Sequence, residues 1–102
     1  MWNSLEVRFA VDHPTAAGHF PGNPIIPGTV LLDEVLYAVA GTGSVERCVI
    51  RSAKFLQPVR PGEAVMIRWE PDPDGQIRFE CRLLDPDRLV LIGTVRMEAQ
   101  TR

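Results

Sequence analysis

Thr29-Val30-Leu31-Leu32-Asp33-Glu34-Val35-Leu36-Tyr37-Ala38-Val39-Ala40 is the stretch on which the fold turns. Its unbroken apolar character and the stops at Gly41 and Gly43 predict one helix, about 18 Å long at 1.5 Å per residue. Apolar residues occupy nearly every face, so the helix is expected to be buried on all sides. Downstream, Val45 to Phe55, Glu63 to Glu70, Ile77 to Leu83 and Leu89 to Glu98 read as strands. Val65, Ile67 and Trp69 share one face, and Ile77-Arg78-Phe79-Glu80-Cys81-Arg82-Leu83 alternates throughout. Pro58-Val59-Arg60-Pro61-Gly62, Pro71-Asp72-Pro73-Asp74-Gly75 and Asp85-Pro86-Asp87 separate them as turns. Upstream, Leu5 to Val11 alternates as a half-buried strand, and Asp12 to Gly28 is a loop with four prolines and three glycines in 17 residues. These elements predict an α+β domain over residues 1–102, in which about five antiparallel strands curl around one apolar helix. There is no internal repeat and no low-complexity tract.

The chain has 102 residues and a mass of 11.4 kDa, the size of a single domain. With 45% apolar and 24% charged residues it has the composition of a globular protein. No apolar run approaches the about 20 residues of a membrane span. The start, Met1-Trp2-Asn3-Ser4-Leu5-Glu6, has neither the basic nor the apolar region of a signal peptide, which makes the cytoplasm the expected location. A net charge of -2 argues against general affinity for nucleic acid. So small a domain is expected to complete its core with a partner subunit. Cys48 and Cys81 sit in strand patterns and are expected to be packing residues, not a disulfide or metal pair. Ten arginines against the single Lys54 reflect composition more than function.

The common catalytic signatures are missing. There is no phosphate loop and no nucleophile elbow, and Gly41-Thr42-Gly43-Ser44 suits a helix C-cap. His13, His19, Cys48 and Cys81 lack zinc spacing, so neither a metal nor a cofactor is expected. What remains is Gly18-His19-Phe20-Pro21-Gly22-Asn23-Pro24-Ile25-Ile26-Pro27-Gly28, followed by the helix with Asp33 in it. A second element is Lys54-Phe55-x-x-Pro58-Val59-x-Pro61-Gly62-Glu63. Together they resemble the hotdog-fold 3-hydroxyacyl-[acyl-carrier-protein] dehydratases, and the match covers about a third of the chain directly.

That resemblance implies removal of water from a (3R)-3-hydroxyacyl thioester on acyl carrier protein, giving the trans-2-enoyl thioester in fatty-acid or related polyene or secondary acyl-chain synthesis. The chemistry needs a base for the C2 proton, an acid for the departing hydroxyl and donors for the thioester oxygen. His19 matches the family's catalytic histidine, and histidine titrates near working pH; a loop histidine can also do no more than bond the backbone. Asp33, 14 positions on, matches the catalytic carboxylate and is expected to lose hydration among apolar neighbours. Aspartate there resembles the branch that also isomerises the double bond, which does not establish isomerase activity here. Glu34 competes for the role but points about 100° away on a helix. The N–H groups of Gly28 and Thr29 open the helix and suit an oxyanion; Phe20, Gly22 and Tyr37 complete the implied substrate-binding set. His13 is expected at the surface, and Trp2, Trp69 and Phe79 in packing.

Three departures from the family are visible. The usual dehydratases begin with an N-terminal segment that precedes anything seen here, so a wall of the acyl tunnel is expected to be missing. Tyr37 replaces a glutamine four positions after the acid, on the same helix side, and Glu34 replaces a small residue. They suggest a specialised relative and keep a second reading open, a hotdog module that binds or hydrolyses acyl thioesters without dehydrating them. The resemblance further implies a homodimer, or a higher assembly of such dimers, with histidine and acid contributed by different chains. Arg47, Arg51, Lys54 and Arg60 form a possible basic rim for an acidic carrier protein.

Overall fold

The computed structural model describes residues 2–10, 25–41 and 47–98. Along the chain run β1 (Asn3–Arg8), α1 (Gly28–Ala40), β2 (Arg47–Phe55), β3 (Ala64–Pro71), β4 (Ile77–Leu84) and β5 (Asp87–Glu98). The strands form one antiparallel sheet of order β1-β3-β4-β5-β2. The expected five strands and one helix are therefore present. Val45 and Glu46 lie outside the described residues, as does most of the proline-rich loop.

Strand alternation builds the core. Val65 and Ile67 of β3, Phe79, Cys81 and Leu83 of β4, and Leu91 and Val95 of β5 are buried on the inner face, with Trp69 packed beside them. Leu31 and Val35 of α1 join this cluster, one turn apart on one side of the helix. Here the structure corrects the expectation of a helix buried on all sides. Thr29, Asp33 and Tyr37, spaced four apart, are exposed, and Tyr37 retains 67% of its surface. One sheet covers one side of a helix, so within a single chain the opposite stripe stays open. Leu5 departs in the same way. It pairs with Ile67 on the inner face of β1, yet it is 41% exposed because β1 is an edge strand.

The predicted turns form with the chemistry their residues supply. Asp72 Oδ1 accepts the N–H groups of Asp74 and Gln76 at 2.9 and 3.1 Å, and Gly75 takes φ +82°, as a left-handed turn position requires. The Asp85–Pro86 bond is cis in the turn between β4 and β5. On the outer face the charges pair across strands: Arg68 with Glu80 at 3.0 Å, Arg78 with Glu70, and Arg82 with Asp87 at 2.8 Å. The Trp2 ring lies 4.9 and 5.7 Å from the Arg68 and Arg78 guanidinium carbons. Trp2 thus packs as expected, but over arginines and outside the core.

Gly93 sits opposite Phe79 in β4 and Ala53 in β2. A Cβ there would meet the Ser52 carbonyl oxygen at an impossible distance and the Phe79 ring at 2.6 Å. The carbonyl is backbone and cannot rotate away. Gly93→Ala should therefore destabilise the protein by about 1–3 kcal/mol, as overpacking does, measured by urea unfolding at fixed protein concentration. A loss below about 0.5 kcal/mol, the range of inconsequential surface changes, would show that the two strands separate freely.

Candidate active site

The chain enters α1 on a fixed track. Ile26 is buried and bridges to Val59, its N–H reaching the Val59 carbonyl at 2.7 Å. Pro27 follows as N-cap residue at φ -58° and ψ 145°, and no side chain caps the helix. The Pro27 carbonyl accepts from Val30 and Leu31 at 3.0 and 3.4 Å. The N–H groups of Gly28 and Thr29 have no acceptor among the described residues. They are the unsatisfied donors that every helix start carries, at the positive end of its dipole.

These amides border a cleft of about 550 Å³. Ile26, Leu31, Leu32, Phe55 and Leu56 give it an apolar lining, and Gln57 and Pro58 close one end. Such a groove accepts an aliphatic chain and offers hydrogen bonds at the helix start and at Gln57. Asp33 stands one turn beyond Thr29 on the same stripe, and Tyr37 one turn further. Thr29, Asp33 and Tyr37 are thus brought to one side of α1, while Gly28 faces Phe55 and Glu34, half-buried, points elsewhere. Asp33 itself is exposed, so the expected loss of hydration does not occur within one chain. His19, Phe20 and Gly22, together with His13, lie outside the described residues.

Phe55, Leu56 and Ile26 were not foreseen as lining residues. The signal was available in Lys54-Phe55, since alternation sends Phe55 inward when Lys54 faces out. Two residues of the expected basic rim border different recesses. Lys54 borders a second cleft, of about 490 Å³, on the outer face with Trp2 and Ile92, whereas Arg60 borders a polar recess with Glu63 and Arg88. The Arg47 side chain is outside the described set. Asp33 and Tyr37 line neither of these recesses nor the apolar cleft, which holds only the helix-start candidates Gly28 and Thr29 among the described residues.

A family model described as ApeI dehydratase, ApeI-like, matches residues 3–90. The chain belongs to the ApeI-like dehydratase family. Among curated relatives, the 3-hydroxyacyl-[acyl-carrier-protein] dehydratase FabZ of Wolbachia pipientis subsp. Culex pipiens is 36% identical over 75 residues, 63% of this chain and 52% of that protein. The same enzyme of Chlamydia trachomatis serovar L2 is 34% identical over 71 residues, 59% of this chain and 46% of that one. The chain thus spans about half the length of the curated relatives it matches. In three dimensions it resembles the dehydratase heterocomplex ApeI:P from Xenorhabdus doucetiae with a TM-score of 0.79 at 21% identity, covering 95% of this chain and 87% of that one. The fold of this ApeI-like chain is the hotdog fold.

Among the described residues, no helix is long and apolar enough to cross a membrane, and no group of three or more potential ligands could hold a metal ion. Neither cysteine lines the apolar cleft. Cys48 is half-buried with its Sγ 3.2 Å from Met97 Sδ, while Cys81 is fully buried in β4. Burial, with a smaller contribution from the Glu80 charge, pushes the Cys81 thiol up to about 12. The folded thiol keeps its proton while an unfolded one ionises near 9.0, so its contribution to stability is present below pH 9 and lost as pH climbs towards 12. At pH 8, iodoacetamide should leave Cys81 unmodified in the native protein and alkylate it in denaturant, as read by peptide mass. Rapid native labelling of Cys81 would contradict this packing.

Proposed function

We propose that this ApeI-like protein dehydrates a (3R)-3-hydroxyacyl thioester carried on acyl carrier protein. The observation that carries the reading is the pair of helix-start amides, without an acceptor among the described residues, opening on an apolar cleft, with a carboxylate one turn beyond Thr29. The thioester oxygen accepts from the Gly28 and Thr29 N–H groups, which stabilise the charge that develops as the C2 proton leaves. His19 takes that proton. The C2–H electron pair forms the C2=C3 double bond as the C3–O bond breaks, and Asp33 protonates the departing hydroxyl to give water. Phe20 and Gly22 would border the substrate from the loop, and Tyr37 extends the helix stripe beyond the acid. The products feed fatty-acid or a related polyene or secondary acyl-chain synthesis in the cytoplasm.

The same reading makes the active unit a homodimer, with the possibility of larger assemblies built from it. Its support is the open side of the chain: the stripe of Asp33 and Tyr37, and the inner-face residues Ile50 and Phe55 of the edge strand β2, all stay exposed. A two-fold partner laid along β2 would cover them and place His19 of one chain beside Asp33 of the other.

Supplying a 3-hydroxyacyl or 2-enoyl thioester while following enoyl absorbance and free thiol separately tests the activity. Absorbance change means dehydration or its reverse; free thiol means a thioesterase, and neither signal means a binding module. His19→Ala and Asp33→Asn should each cost about 10²–10⁴-fold in rate. Asp33→Asn should change stability by less than about 0.5 kcal/mol, since the side chain is exposed. Near-normal Asp33→Asn turnover with inactive Glu34→Gln would move the acid to Glu34. Mixing His19→Ala with Asp33→Ala chains should restore about a quarter of sites after random exchange in a two-fold dimer. Absent recovery, with exchange verified by mass spectrometry of tagged chains, would place both residues in one subunit.

A further inference from the structure

Phe55 ends β2 opposite Leu91, which is wholly buried on the inner face, yet Phe55 itself is 49% exposed. Its ring does not turn into the core; it lies against the first residue of α1. A Cβ built on Gly28 would stand 2.7 and 2.8 Å from Phe55 Cε1 and Cζ, closer than side-chain carbons approach. The ring therefore occupies the space that any side chain at position 28 would need, immediately beside the Gly28 and Thr29 N–H groups. It also forms a wall of the apolar cleft that opens there.

A carbonyl oxygen bonded to those amides lies about 3 Å from the nitrogens. Its carbon, and the next carbon of the acyl chain, must then pass within contact distance of the ring. Beyond that point the walls are the aliphatic side chains of Leu31, Leu32 and Leu56, which can adapt to a straight chain. We propose that Phe55 is a specificity-determining residue that limits the cleft to acyl groups unbranched at the carbon next to the thioester carbonyl. The inference rests on the proposed placement of that carbonyl at Gly28 and Thr29. Beside the amides a methylene clears the ring, whereas a methyl branch collides with it. The ring is pinned on its other side by Gly28, so it cannot retreat towards the helix.

Binding of saturated, unreactive probes tests this without requiring turnover. Octanoyl-pantetheine and 2-methyloctanoyl-pantetheine would be titrated calorimetrically into the full chain, Phe55→Ala and Phe55→Leu. The native protein should prefer the unbranched probe by about 10–200-fold, the range that one methyl group commands in an apolar site. Phe55→Ala should lose most of that preference, and Phe55→Leu, which keeps an apolar side chain if the alanine variant folds poorly, should lose part of it. Gly28→Ala should weaken binding of both probes, with recovery in the Phe55→Leu background. Equal binding of the two probes by the native protein, a preference unchanged in both variants, or failure of either probe to bind would overturn the proposal. Parallel turnover of an unbranched 3-hydroxyacyl thioester separates the two questions. Selectivity without turnover retires the dehydratase reading and leaves the Phe55 role, while turnover without selectivity does the reverse.

Discussion

β1 and β2 form opposite edges of one sheet, so the chain between them must cross the sheet's full width. Four strand spacings of about 4.8 Å make that crossing about 19 Å on a flat sheet. α1, 13 residues and about 20 Å long, lies on the inner face with its first residue already beside Phe55, the last residue of β2. Leu31 and Val35 seal the helix to the sheet. With the helix start held at the end of β2, its first amides and an aromatic ring share one cleft. Connectivity, more than any single contact, creates the site.

Much of this was legible in the residues. Alternation in Val65-Met66-Ile67-Arg68-Trp69 and in Ile77 to Leu83 identified the inward faces correctly, because β3 and β4 are central and the sheet covers them evenly. The three turns were legible because Gly62 and Gly75 adopt positive φ and Pro86 cannot join a ladder as a donor. The exposure of Leu5, Asp33 and Tyr37 was not legible, since periodicity reports which residues share a face but not whether anything lies over it. The close approach of Phe55 to Gly28 escaped the reading for a related reason. It joins positions 27 apart in sequence through a contact that follows from strand order, and strand order leaves no local trace.

The two faces of the sheet have divided roles. The outer face holds arginines and carboxylates paired in register across β3 and β4, with Trp2 stacked over two of the arginines. Such exposed pairs contribute little individually to stability. Of the exposed large apolar residues, Tyr37, Ile50 and Phe55 lie along α1 and the inner side of β2, while Leu84 and Ile92 stay open on the outer face.

Val90 has no partner opposite it in β4, where Cys81 pairs with Leu91 and Arg82 with Leu89. This extra residue is a bulge, and it lets both Val90 and Leu91 point into the core. Its carbonyl, turned out of the ladder, accepts the N–H groups of Leu56 and Gln57 at 2.7 and 3.4 Å. The wall of the cleft is therefore hung from a fault in a neighbouring strand and not from its own. Lengthening the turn at Asp85–Pro86 would leave that suspension point in place. Deleting the one supernumerary residue would mend the ladder, keep the facing of its neighbours and withdraw the hook that holds the wall. In this fold the irregular position tolerates change less well than the regular ones around it.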